Sequence, residues 1–155
     1  MEIHRLRKTE GGAPGWFSGK AYLEVLVPAR PEGESLFLVR SAPRGHTAWH
    51  THPQGQVLYV AEGVSLASRG ERAQLLLPGD VVVFAPGEEH WHGALPDRFM
   101  AHLALQKADG EGKTAYWGKR WRRRPTWRRP GRPSRPPHFF RIPPTIALPP
   151  RSVLY

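Results

Sequence analysis

Turns rich in proline and glycine divide the first 117 residues of this chain into segments too short for ordinary helices. Examples are Pro-Glu-Gly (31–33), Leu-Pro-Gly-Asp (77–80) and Ala-Pro-Gly (85–87). The intervening segments are rich in Val, Leu, Phe and Tyr, and none shows the apolar period of an amphipathic helix. Short strands at this spacing indicate an all-β fold, either an antiparallel sandwich or a small barrel. The predicted strands are Ala21–Val27, Ser35–Ser41, Gln56–Glu62, Val64–Ser68, Gln74–Leu77, Val81–Phe84 and Met100–Gln106.

The composition changes abruptly after Trp117. Residues 1–117 carry 12 Lys and Arg against 13 Asp and Glu, whereas residues 118–155 carry 11 Lys and Arg, no acidic residue and 9 of the 17 prolines. The net charge of +10 therefore resides in the C-terminal segment. Because proline at this density interrupts helices and sheet ladders, we predict one domain over residues 1–117 and a disordered Arg/Pro-rich tail over residues 118–155.

Three interpretations of this tail are open. A basic, disordered segment can bind nucleic acid non-specifically through its charge, with Trp121 and Trp127 available to stack on bases. It can instead be a tail without a selected function. The third interpretation is an end produced by a shifted reading frame, because runs of Arg and Pro are typical of shifted GC-rich coding sequence.

Other features of the composition exclude whole classes of protein. The chain has no cysteine, which excludes a disulfide scaffold, a Cys-ligated zinc site and a thiol nucleophile. No apolar run approaches the roughly 20 residues of a membrane-spanning helix, and Met1–Lys8 is too charged to begin a signal peptide. We therefore expect a cytoplasmic protein with no membrane partner.

Histidines are concentrated in two pairs with the same spacing. His50 and His52 form one His-x-His pair, His90 and His92 form another, and His102 lies on the next predicted strand. Residues i and i+2 of a strand point to the same face, so each pair can project together into a barrel interior. At this point a divalent metal site and a set of solvated or core histidines are both open interpretations.

The segments around these histidines resemble the two conserved motifs of the cupin superfamily. The first is His50-Thr-His52-Pro-Gln-Gly-Gln56, followed by Gly63. The second begins at Pro78-Gly-Asp and ends at His90. The resemblance covers residues 2–117, and it implies a single-domain double-stranded β-helix, or jelly-roll barrel.

Three departures from the general cupin motifs point to one group within the superfamily. Arg44 stands where a glycine is expected, Gln56 replaces the usual glutamate, and Ala94 replaces a frequent asparagine. The stretches Thr47 to Gln56 and Pro86 to Ala94 resemble the small bacterial manganese-dependent hydroxynitrile lyases of the cupin superfamily.

This narrower resemblance implies a metal site and a substrate pocket. The metal ligands correspond to His50, His52, Gln56 and His90, which would bind one divalent ion per chain. Mn²⁺ is the expected ion. Fe, Co, Ni and Zn are alternatives, because a set of nitrogen and oxygen ligands discriminates only weakly among these divalent metals. The pocket residues correspond to Thr47 and to His102, the expected base, with His92 as a second candidate base.

The charge of these ligands fits the function that the resemblance implies. Three imidazoles and an amide are neutral, so the ion keeps its full charge as a Lewis acid toward a small-molecule substrate. The resemblance implies an enzyme that cleaves or forms cyanohydrins or similar small hydroxy or carbonyl compounds. The alternatives are an Fe-dependent cupin dioxygenase, a non-catalytic small-molecule-binding cupin, and nucleic-acid binding through the tail. A homodimer or homotetramer is also expected, since association can cover exposed strand edges.

Overall fold

Two antiparallel sheets packed face to face form the body of the protein. The computed structural model describes residues 1–5, 9–70 and 72–118, and these residues contain strands and no helix. The strands are β1 (Thr9–Gly11), β2 (Phe17–Ser18), β3 (Ala21–Val27), β4 (Glu34–Ser41), β5 (His46–Thr47), β6 (His50–Thr51), β7 (Gln56–Gly63), β8 (Ser65–Ser68), β9 (Gln74–Leu76), β10 (Val81–Phe84), β11 (Trp91–Ala94), β12 (Met100–Lys107) and β13 (Tyr116–Trp117).

All seven strands predicted from the sequence are present. Two of them, Ala21–Val27 and Val81–Phe84, match at both ends, and each of the others differs by a single residue at one end. The strands that the sequence did not predict are β1, β2, β5, β6, β11 and β13, which have two to four residues each. Four of them, β2, β5, β6 and β13, have only two residues, which is too short to show the alternation on which strand prediction depends.

The sheet order is that of a jelly roll. One sheet has the order β1-β3-β4-β12-β7-β10, the other has the order β2-β5-β11-β8-β9, and β13 pairs with β6. Strands that are distant in sequence are neighbours, as in β4, β12 and β7, and every strand pairing is antiparallel. The predicted all-β, single-domain jelly-roll barrel is therefore confirmed.

The apolar core lies between the two sheets and fills one part of the barrel. Leu58, Val60 and Ala104 from the six-stranded sheet pack with Ala67 and Leu76 from the five-stranded sheet. A second cluster joins Trp91 to Leu66 and Leu95, and Trp49 packs against it. The rest of the interior is lined by buried polar side chains, which makes room for a site.

The end of the described chain contributes to the same interior. In β13, Trp117 pairs with His50 across the ladder, and Trp117 lines the cavity there. The domain boundary predicted after Trp117 stays a prediction, because the predicted tail lies, from residue 119 onward, outside the described residues. No helix of the described segments has the length and apolar character needed to cross a membrane. The cytoplasmic location stays a prediction.

Candidate metal centre

Three of the predicted ligands meet inside the barrel. His50 lies on β6, His52 follows it, and His90 directly precedes β11. Reciprocal backbone hydrogen bonds of 3.0 Å link His50 to His90 and bring the two His-x-His segments together. The imidazoles of all three histidines are buried, and one nitrogen from each lies within 4.8 Å of the others. This spacing lets all three reach a single ion.

The orientation of the three rings is fixed by the backbone. The Nδ1 atom of each ring lies at hydrogen-bond distance from a backbone carbonyl, and a carbonyl oxygen can only accept. Each Nδ1 therefore carries the proton, and each Nε2 keeps a lone pair, the arrangement that metal-binding histidines require. The bonds run from His50 to Ala48 (2.9 Å), from His52 to Thr114 (2.5 Å) and from His90 to Glu88 (2.8 Å).

Gln56 places a fourth donor beside them. A turn at Gly55 leads from His52 into β7, and it requires glycine because φ is +81° and a Cβ would lie 2.6 Å from the Phe84 carbonyl oxygen. The amide of Gln56 donates from Nε2 to Oε1 of Gln106 at 2.7 Å, so its own Oε1 faces Nε2 of His90 at 3.2 Å. Both of these facing atoms are lone-pair acceptors, and a shared cation would relieve their repulsion.

Burial keeps the three imidazoles in the neutral form that binds metal. Burial, the nearby His90 and His52 and, least of all, His102 lower the pKa of His50 to about 2, against an opposing contribution from the Ala48 carbonyl. Burial also lowers the pKa of His52 to about 4 and lowers the pKa of His90. Nε2 of His52 is buried and has no hydrogen-bond partner within the part of the chain that the structure describes. Neutral nitrogens and an amide oxygen with unused lone pairs fit a divalent ion.

A second pair of histidines lies next to this centre. His92 on β11 and His102 on β12 have ring centroids 4.8 Å apart at an interplanar angle of 88°, and the His92 ring lies 5.3 Å from that of His50. Both rings are buried, and no ring nitrogen of His92 or His102 has a described partner at good hydrogen-bond geometry, although the Leu103 backbone lies close to the His102 ring. Burial lowers the pKa of His102 to about 4, opposed by the Leu103 backbone, and burial with the neighbouring His102 holds that of His92 well below its usual value.

Thr47, which the sequence predicts to contact the substrate, also forms two hydrogen bonds with the backbone of His92. Its hydroxyl donates to the His92 carbonyl oxygen at 3.3 Å and accepts from the His92 backbone N–H at 3.1 Å. These bonds hold β5 against β11. Thr47 also lines the central cavity, so its predicted contact with a substrate stays open as a prediction.

All of these side chains except His90 line one cavity of about 350 Å³. Its apolar lining includes Phe37, Val39 and two stacked tryptophans, Trp16 and Trp117. Trp117 lies 4.9 Å from Trp16 and 4.7 Å from His50 between ring centroids. A larger cavity of about 620 Å³, lined by Arg44 and Trp91 among others, contains none of the predicted site residues.

Two contributors were not predicted as site residues. Gln106 shares the inward face of β12 with His102, and the two-residue strand period could have identified it as a buried polar group. Trp117 comes into the cavity only because β13 pairs with β6, and nothing local in the sequence indicates that pairing.

Without metal, we expect the free energy of unfolding to fall as the pH drops below about 6.5. An unfolded histidine binds a proton near that pH, whereas His52 and His102 have a pKa of about 4 in the folded chain. The unfolded chain therefore binds more protons, and the stability present above pH 6.5 is lost as the pH falls toward 4. For each histidine, the difference between the folded pKa of about 4 and the unfolded pKa of about 6.5 corresponds to about 3 kcal/mol of unfolding free energy. Urea unfolding of the metal-free protein at several pH values measures this free energy. In His102→Gln the free energy of unfolding should depend less steeply on pH than in the wild type. A free energy that does not change with pH would contradict it.

A jelly-roll barrel with histidines converging in its interior is characteristic of cupins, and the chain belongs to the cupin family. Residues 37–103 match the cupin domain of that family. Over 124 residues the chain is 44% identical to an (R)-mandelonitrile lyase of Granulicella tundricola. The matched segment covers 76% of this chain and 92% of that protein. The resemblance seen in the sequence motifs is thereby confirmed.

Solved structures show the same fold. A cupin-like protein of Thermotoga maritima is 31% identical and superposes with a TM-score of 0.66, covering 74% of this chain and 87% of that one. The polyketide cyclase RemF of Streptomyces resistomycificus is 19% identical with a TM-score of 0.57, covering 69% of this chain and 79% of that one.

Proposed function

We propose that this protein is a metal-dependent lyase that cleaves or forms cyanohydrins or similar small hydroxy or carbonyl compounds. The observation that carries the proposal is a cluster of five buried imidazoles, four of which line one cavity. One nitrogen from each of three rings lies within 4.8 Å of the others, and the remaining two rings lie beside this group with unpartnered nitrogens among the described residues. The 44% identity to an enzyme named for mandelonitrile, an aromatic cyanohydrin, supports this choice of substrate class.

The proposed metal site comprises His50, His52, Gln56 and His90. We infer Mn²⁺ as the ion, with Fe, Co, Ni and Zn as alternatives that such ligands also accept. When bound there, the ion supplies Lewis-acid stabilisation of negative charge that develops on the substrate. The neutral amide of Gln56 favours this role over an Fe-dependent dioxygenase, because oxygen activation generally gains from an anionic ligand.

The chain's own residues move the proton and hold the substrate. In the cleavage direction, His102 takes the proton of the cyanohydrin hydroxyl while the bond between the carbinol carbon and the cyano carbon breaks. The electron pair of that bond leaves with cyanide, which receives the proton from His102, and an aldehyde or ketone remains. Thr47 orients the substrate, and His92 is the alternative base. The apolar wall with Trp16 and Trp117 receives the aryl or alkyl group and excludes water.

A cyanohydrin cleavage assay on the full chain tests the proposal. Metal-free protein is loaded separately with Mn²⁺, Fe²⁺, Co²⁺, Ni²⁺ and Zn²⁺, and aldehyde release is followed with mandelonitrile and with an aliphatic cyanohydrin. Turnover with at least one metal and none without metal is the expected result. If no loaded form released aldehyde, the barrel and the histidine cluster would stand and the lyase proposal would fall.

Replacing Gln106 should weaken metal binding although it is not itself a ligand. Its Oε1 accepts from Nε2 of Gln56 and so determines which end of that amide faces His90. In Gln106→Leu this acceptor is gone, and we expect about a 10–100-fold loss of affinity, typical for a residue that orients a metal ligand. Mn²⁺ titration of the metal-free protein measures it. Gln106→Glu keeps an acceptor at the same position, so affinity equal to that of Gln106→Leu would contradict the orienting role.

A further inference from the structure

The loop between β12 and β13 (residues 108–115) contributes one of the three carbonyl groups that orient the proposed metal ligands. The carbonyl groups that orient His50 and His90 lie two residues before them on the same segments. Thr114, by contrast, lies in the loop and accepts from Nδ1 of His52 across 62 residues of the chain. The conformation of the β12–β13 loop therefore decides whether the His52 ring is oriented.

The carboxylate of Asp109 shapes this loop. Its Oδ1 accepts from the backbone N–H groups of Glu111 and Lys113, each at 2.9 Å. The backbone N–H of Asp109 donates to the Lys113 carbonyl oxygen, also at 2.9 Å. Aspartate forms bonds of this kind to backbone groups shortly after it in tight turns. Together these bonds fix the chain up to Lys113, the residue directly before Thr114.

The other oxygen of the Asp109 carboxylate ties the loop to β13. Its Oδ2 accepts from the Tyr116 hydroxyl, and Tyr116 pairs with Thr51 on β6. The Tyr116 hydroxyl and then the Lys113 backbone N–H lower the pKa of Asp109, so at neutral pH the side chain is an ionised carboxylate whose two oxygens both accept. Thr114 is thus held from both sides, through Lys113 by Oδ1 and through Tyr116 by Oδ2.

The start of the loop is anchored independently of this carboxylate. The Glu32 N–H donates to the Asp109 carbonyl oxygen at 2.9 Å, and the Ala108 N–H donates to the Gly33 carbonyl oxygen at 2.8 Å. Asp109 itself is partly exposed and lies outside the paired residues of the long strands. Removing its carboxylate should therefore loosen the Thr114 carbonyl group and leave the barrel folded.

We infer that Asp109 is a positioning residue for the proposed metal centre and acts through the Thr114 carbonyl group on the ring of His52. Because a carbonyl oxygen can only accept, the Thr114 contact keeps the proton on Nδ1 of His52 and leaves the lone pair on Nε2. A loop freed from Asp109 would let the ring rotate or exchange tautomers, and binding of an ion would have to restore its arrangement. The inference rests on the proposed metal site and does not depend on the proposed reaction.

Mn²⁺ titration of the metal-free full chain tests the inference through Asp109→Ala and a matched control, Glu111→Ala. Glu111 belongs to the same loop, but its carboxylate pairs with the exposed Lys113 ammonium group. Partners that orient a metal-binding histidine typically contribute about 10–100-fold in affinity, and we expect a loss of this size in Asp109→Ala and none in Glu111→Ala. Asp109→Asn keeps an acceptor oxygen at Oδ1 and should recover part of the loss. Equal affinity in Asp109→Ala and Glu111→Ala would overturn the inference.

A double-variant cycle shows whether the effect passes through His52. It uses Ni²⁺, which nitrogen ligands bind more tightly than Mn²⁺, so that weakened sites stay measurable. If Asp109 acts by positioning His52, Asp109→Ala should lower affinity in the wild-type chain and have little further effect in His52→Ala. An equal loss in both backgrounds would indicate a general loosening of the barrel and would contradict the positioning role.

The same titrations separate this inference from the proposed reaction and from the proposed site. A wild type that binds Mn²⁺ but releases no aldehyde from a cyanohydrin would remove the lyase proposal and leave the role of Asp109 standing. A wild type that binds no metal would overturn the proposed site and this inference together.

Discussion

Replacing His50 by alanine is expected to abolish stoichiometric metal binding and, with it, turnover. The His50 ring lies 4.4 Å from the His90 ring and 5.0 Å from the His52 ring between centroids, so it is the common neighbour within the group. Its removal leaves His52 and His90, whose centroids are 5.4 Å apart, with Gln56. Loss of a ligand should exceed the about 10–100-fold effect of losing a residue that orients one.

The matched control for this prediction is His92→Ala. His92 is also buried in the same cavity, but it lies outside the three-histidine group. Metal content of the purified proteins and Mn²⁺ titration of the metal-free forms compare the two variants directly. We expect about one ion per chain in His92→Ala and none in His50→Ala. If His50→Ala kept one tightly bound ion per chain, the ion would have to lie elsewhere, and the proposed ligand set would be wrong.

Of the nine described strands with three or more residues, seven were predictable from the sequence, and their pairing was not. Both bounds of Val81–Phe84 were predicted correctly, but its unbroken apolar run is typical of a strand buried on both faces. In the fold β10 is an edge strand with Val81 and Val83 exposed. The register that aligns these valines with Tyr59 and Val57 joins segments more than 20 residues apart. No local signal in the sequence specifies that alignment.

The candidate site was likewise predictable only in part. The spacing of the His-x-His pairs predicted that each pair could share a face, and the structure brings His50 and His90 together. What the spacing could not predict is the orientation of each ring. The carbonyl groups that orient His50 and His90 lie only two residues before them, at Ala48 and Glu88. The carbonyl that orients His52 belongs to Thr114, 62 residues away, and no local signal in the sequence indicates that contact. The contact of Gln106 with Gln56 likewise spans 50 residues.

Replacing His102 by alanine is expected to lower turnover by about 10²–10⁴-fold while metal content stays unchanged. A general acid–base group typically contributes that factor, and His102 is not one of the three grouped histidines. The change should appear in kcat and in kcat/KM together, since the lost interaction belongs to the proton transfer. Because the pKa of His102 is about 4, the ring is already neutral well below pH 6.5. Wild-type kcat/KM should therefore show no decline near pH 6.5 while the barrel stays folded.

His92 is the competitor for this role, because its ring lies 4.8 Å from that of His102 in the same cavity. His92→Ala and the double variant, measured with the same cyanohydrin, decide between them. If His102 is the base and His92 only packs against it, His92→Ala should reduce turnover far less, and the double variant should be no slower than His102→Ala. If the two rings act as a unit, each single variant should cost nearly as much as both together. Wild-type turnover in His102→Ala would remove His102 from the mechanism and transfer the proton to His92, whose position is fixed by the two hydrogen bonds between Thr47 and its backbone.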